Sequence, residues 1–184
     1  MFPLSGKELF MKYVLISLAV SVVGLLVAFL YAWKVKKQPS GNERMREIAH
    51  SIHEGAKAFL YAEYRIIIIF VAALSISIGV LLDNWYEAIS FIMGAGFSVL
   101  AGFCGMNVAT IANVRTANAA KEKGMSKALS VAFSGGSVMG LCVAGFGLLG
   151  IATVFAVTKN DDILFGFSLG ASSIALFARV GGGI

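Results

Sequence analysis

An all-α fold that crosses a membrane several times is what this sequence predicts, and three observations carry it. The chain is 58% hydrophobic with only 14% charged residues, and its mean hydropathy is +0.84, well above the roughly half-apolar usage of soluble domains. The charges cluster and leave five long uncharged runs, at 13–33, 66–82, 88–114, 128–158 and 163–178. A bilayer core of ~30 Å needs about 20 apolar helical residues, so these runs predict five transmembrane helices near 13–35, 57–82, 86–120, 127–158 and 162–180. Residues 1–184 are expected to form a single membrane domain, with no separate soluble domain.

The first run is an anchor and not a cleaved leader. A signal-peptide core spans ~7–15 apolar residues before a small-residue cleavage site. Here the apolar run passes straight into "WKVKK", a stop-transfer flank. The short segment ahead of it is what a multi-pass protein of a prokaryotic plasma (inner) membrane would carry.

The connection to the second run is structured. Glu43 stands three residues after Ser40, the spacing of a capping box. Met45, Ile48, Ile52, Ala56 and Phe59 then recur in steps of three and four, forming one helical face that continues into the second span. The other face is charged and carries His50. His50 and His53, three apart, have a spacing that can hold a metal, yet no third ligand accompanies them, and a solvated face is the simpler reading.

The outer turns "LDNWYEA" and "TKNDDI" are too short for a domain, and Trp85 and Tyr86 suit an interfacial belt. The third run is followed by Asn107, Thr110, Asn113, Arg115, Thr116 and Asn118, so this helix extends past the apolar boundary and brings polar groups together there. Gly124 is the expected stop and Ser126 the expected cap of the fourth helix. Gly136-x-x-x-Gly140 and Gly166-x-x-x-Gly170 place small residues one turn apart, where helices approach closely. Cys104 and Cys142 lie in apolar runs with no metal-ligand spacing and read as small core residues.

Twelve of the fifteen Lys and Arg fall on one side of this topology. The positive-inside rule puts the N-terminus outside and the last residues at the cytoplasmic face. The net charge of +5 is thereby explained without a nucleic-acid partner.

In the fifth span Ser168, Ser172, Ala175 and Arg179 are spaced four, three and four, which puts them on one helical stripe. Small and hydroxylated residues ending in a guanidinium suit a bundle interior or a hydrated path, and an ionisable group there is a functional candidate. An Arg at a helix end also snorkels to the interface, so the stripe by itself leaves both readings open. Gly181–Gly183 follow without the Lys-Ser or Lys-Thr of a phosphate-binding loop.

"IHEGAKAFLYAEYR", "GMNVATIANVRTANAA" with "KALSVAFSGGSVMG", and the terminal "ALFARVGGGI" resemble, in order and spacing, segments of the membrane-integral, ion-pumping inorganic pyrophosphatases. The resemblance covers nearly the whole chain. It implies an N-terminal piece of a longer pump that hydrolyses Mg-pyrophosphate at the cytoplasmic face and moves H⁺ or Na⁺ outward. It implies a homodimer, lipid around it, and Mg²⁺ as cofactor. The lysine and carboxylates that hold Mg-pyrophosphate are expected beyond residue 184, so no catalytic residue, substrate-binding residue or metal ligand is assigned within this chain. K⁺ dependence and the choice between H⁺ and Na⁺ stay open. Arg179 matches the family arginine that couples hydrolysis to ion passage, and Ser172 a small polar position two turns deeper. On its own the piece is expected to be inactive. The alternative is a non-enzymatic five-helix channel or assembly subunit.

Overall fold

The computed structural model describes the backbone of residues 6–182 and the side chains of residues 11–178. It is all-helical: α1 (Gly6–Lys36), α2 (Glu43–Leu81), α3 (Trp85–Thr158) and α4 (Asp161–Gly182). All four are long and apolar enough to cross a membrane. The expected third and fourth helices are the two halves of α3, a run of 74 residues broken at Gly124, where the backbone is not helical (φ 79°, ψ 178°).

That interruption folds α3 back on itself. The two arms, 85–123 and 125–158, meet along a ladder in which one position climbs as the other falls. Ala119 packs with Ala128 and Val131, and a Cβ at Gly135 would lie 2.7 Å from the Ala112 Cβ. One at Gly105 would lie 2.6 Å from Met139 Cγ, and the Phe97 and Phe146 rings stack at 5.9 Å. The backbone at Gly124 lies in a region that essentially only glycine adopts. Ser126 sits inside the second arm and is therefore not a cap. The expected stop falls at Gly124; the expected cap does not form.

α3 is the hub, and the other helices pack on it. α1 lays Ala28 against Ala101, Val138 and Cys142, and Leu25 against Gly145. The interface is built from small residues, including Ser21, which is 1% exposed. Phe29, by contrast, is 69% exposed. Small residues at contacts and large apolar ones outside is how helices associate where the surroundings are themselves apolar. α2 runs antiparallel to the first arm: the Tyr64 hydroxyl donates to the Val99 carbonyl at 3.3 Å, and Trp85 covers Gly79.

α4 runs parallel to the first arm in backbone contact. A side chain at Gly170 would meet the Phe91 carbonyl, one at Gly94 the Phe167 carbonyl, and one at Gly166 the Glu87 carbonyl. The Gly166/Gly170 pair therefore works as its spacing predicts. At Gly136 and Gly140 no described residue comes within 4 Å of an added Cβ. In the second arm Gly135 makes the close approach instead.

The helix ends are capped by asparagines. Asn42 accepts from the Met45 N–H at 3.0 Å and starts α2 at Glu43, so Ser40 lies outside the helix and does not form the expected capping box. Asn84 accepts from Tyr86 N–H, and Asn160 from Asp162 N–H at 2.9 Å. The short turns 82–84 and 159–160 are closed by these side chains.

Candidate functional site

At the end of the bundle where α1 stops, polar groups converge as the sequence predicts. α1 ends at Lys36, and its last carbonyls need donors from beyond the helix: Trp33 and Val35 accept from the Lys37 and Gln38 N–H groups, and Arg115, from the first arm of α3, serves Lys36 and the connection after it. Its Nε donates to the Gln38 carbonyl at 3.0 Å, its Nη2 to the Lys36 carbonyl at 3.3 Å, and its Nη1 back to Ile111 at 3.0 Å. A planar guanidinium presents five donors in a fixed fork, and three carbonyls, in α1, in the α1–α2 connection and in α3, use it. One turn on, the amide of Asn118, 3% exposed, reaches the Pro39 carbonyl at 3.5 Å. The α1–α2 connection is thus fastened to α3 by two side chains one turn apart.

Beside this clamp the amphipathic start of α2 docks through His53. The Thr110 hydroxyl lies 3.0 Å from the Asn107 carbonyl, and His53 Nδ1 hydrogen-bonds the same hydroxyl at 3.1 Å. His50 turns instead to Glu54 at 3.2 Å on the exposed face. The two histidines have separate partners and do not converge. Among the described residues no three His, Cys, Asp or Glu side chains gather as a metal site.

α4 presents two unlike faces. Ile163, Gly166, Phe167, Gly170 and Ile174 are buried against α3 and α2. Ser168, Ser172 and Ala175 lie on the opposite side and are exposed. The hydroxylated stripe is therefore real as a helical face, but the described helices do not cover it. Arg179 continues the stripe on the helical backbone of α4, and its side chain lies outside the described residues.

One carboxylate escaped the sequence reading. Glu63 has its Oε1 enclosed, with no hydrogen-bond partner among the described residues. It sits one turn before Ile67, in the α2 face that packs on Ala95 and Ile174. The signal was its place just ahead of the uncharged run, on the packed side of α2.

A helical hub with glycine-mediated contacts, a polar cluster at one end and a hydroxylated face left open on the last helix define a multi-pass membrane protein. Its relatives narrow this to one family. The inorganic H⁺ pyrophosphatase family model matches residues 22–184, and the chain belongs to that family. A Clostridium tetani protein, provisionally named a K⁺-stimulated pyrophosphate-energized sodium pump, is 48% identical over 94% of this chain and 26% of its own length. The K⁺-insensitive pyrophosphate-energized proton pump of Methanosarcina mazei is 43% identical over 89% of this chain and 24% of its own. The K⁺-stimulated sodium pump of Thermotoga maritima is 40% identical over 82% and 24%. The chain thus spans about a quarter of the length of these curated relatives.

Proposed function

We propose that this chain is the N-terminal part of a pyrophosphate-energised cation pump. It would couple hydrolysis of Mg-pyrophosphate at the cytoplasmic face to outward movement of H⁺ or Na⁺, as a homodimer in a prokaryotic plasma membrane. The two arms of α3 count as separate crossings in this reading, giving five, with the N-terminus outside and the Arg115 cluster cytoplasmic. Relatives named for both cations, K⁺-stimulated and K⁺-insensitive, leave the ion and the K⁺ requirement open.

The observation that carries the reading is the face of α4. A stripe of Ser168, Ser172 and Ala175 directed away from its own bundle is poorly matched to hydrocarbon. It is well matched to a polar seam closed by further helices. Within that seam Ser172 offers a hydroxyl. Arg179 offers a permanent charge able to hold carboxylates in alternative geometries, which is what coupling requires. Moving one charge against 100 mV takes about 2.3 kcal/mol, an input that each hydrolysis event must exceed.

Mg²⁺ would be gathered by several carboxylates. The resemblance implies that these carboxylates lie beyond residue 184, and residues 1–184 alone are expected to hydrolyse nothing. The test is pyrophosphate-driven ion uptake in inverted vesicles carrying the full-length gene product. Arg179→Ala should abolish uptake. Wild-type uptake in the Arg179→Ala variant, or hydrolysis by the 184-residue piece, would overturn the respective claim.

A further inference from the structure

The seam between the two arms of α3 brings together the chain's two cysteines. Cys104 stands on the first arm and Cys142 on the second, between the rung where Gly105 meets Met139 and the rung where Phe97 stacks on Phe146. Both pack in the cluster of Ala28, Ala101 and Val138, and their thiols interact with each other. Cys142 is 6% exposed and Cys104 is half-buried. Neither sulfur belongs to the Arg115 clamp or to the α4 stripe.

The backbones around the pair are near enough for a covalent link. A disulfide joins Cβ atoms about 3.5–4.5 Å apart. An added Cβ at Gly135 lies 2.7 Å from the Ala112 Cβ, and one at Gly105, beside Cys104, lies 2.6 Å from Met139 Cγ. The arms therefore approach at these rungs at least as closely as a disulfide requires. The product also suits its surroundings, because a disulfide carries neither a charge nor a donor that an apolar seam would leave unpaired.

We propose that Cys104 and Cys142 are a site of oxidative modification, at which hydrogen peroxide turns two facing thiols into a disulfide that staples the arms of α3 together. Cys104, the less buried of the two, reacts first. Its sulfur takes one oxygen as the O–O bond breaks, giving a sulfenic acid and one water. The Cys142 sulfur then attacks the Cys104 sulfur: the S–S bond forms, the S–O bond breaks, and a second water leaves. Two thiols are oxidised and one peroxide is reduced. A thiol reductant reverses the bond.

Peptide mapping of the full-length gene product tests this. The folded protein in detergent is treated with hydrogen peroxide, quenched, alkylated in denaturant and digested with trypsin. Segments 66–115 and 128–159, which carry the two cysteines, should appear joined and lighter by two hydrogens than their sum. Dithiothreitol should separate them. In Cys142→Ser the Cys104 sulfur should stop at the sulfenic acid and take up dimedone, a label that the wild type does not retain. The thermal midpoint should rise on oxidation of the wild type and stay put in Cys142→Ser. Full alkylation of both thiols after peroxide, a link from either to a cysteine elsewhere, dimedone labelling of the wild type equal to that of the variant, or an unchanged midpoint in the linked wild type would overturn the proposal. The wild-type peptide map decides by itself even if Cys142→Ser fails to fold.

Discussion

Arg115 donates from Nε to the Gln38 carbonyl at 3.0 Å, joining residues 77 positions apart. This contact, with its companion to Lys36, ends α1, fixes the turn into α2, and ties both to the first arm of α3. The polar end of the bundle is organised by one guanidinium.

Arg115→Lys should therefore loosen the connection although charge is kept. An ammonium lacks the planar fork that serves divergent carbonyls. Loss of hydrogen bonds to a charged donor costs about 1.5–3 kcal/mol each. Hydrogen exchange across 36–42 should accelerate by tenfold or more. Unchanged exchange would show that Asn118 alone holds the turn.

Two glycine substitutions should differ in sign. Gly170→Ala puts a methyl group into the Phe91 carbonyl, so α4 must move off α3, and thermal stability should fall. Gly140→Ala meets none of the described residues within 4 Å and removes a helix-interior glycine, a gain of up to about 1 kcal/mol. Thermal unfolding in detergent reads both, and equal effects would refute the packing of α4 described above.

Gly124→Ala should be costly for a different reason. No described residue crowds the position, but its φ of 79° with ψ of 178° is strained for any residue with a Cβ, by about 1–3 kcal/mol. Gly124→Asn should be no better, since Asn tolerates the left-handed helical region but not this extended one. Stability equal to wild type in either variant would contradict the backbone geometry of the bend.

Much of this architecture was legible in the sequence because membrane spans are set by run length and charge, both local properties. The extension of α2 from Glu43, the stop at Gly124 and the close approach at Gly166 and Gly170 all follow from nearby residues. What was not legible depended on partners. Asn42 won over Ser40 as cap because Gly41, with its φ of +81°, turns the chain just before it. Gly136 and Gly140 share the spacing of Gly166 and Gly170, yet meet none of the described residues, because spacing says that two small residues share a face and not what that face meets. The stripe on α4 was predicted as a face and found as one. Its burial could not be read, since the helices described here cover the opposite side. Glu63 went unremarked because a single carboxylate beside an apolar run looks like a boundary marker until its neighbours are seen.

The most direct test concerns Ser172. In the full-length gene product with Cys104 and Cys142 replaced by alanine, Ser172→Cys should react with a membrane-impermeant, water-soluble thiol reagent added from the cytoplasmic side. The modification should block pyrophosphate-driven ion transport. Reaction only with lipid-soluble reagents, with transport intact, would place this face of α4 against hydrocarbon and contradict its role in the pump.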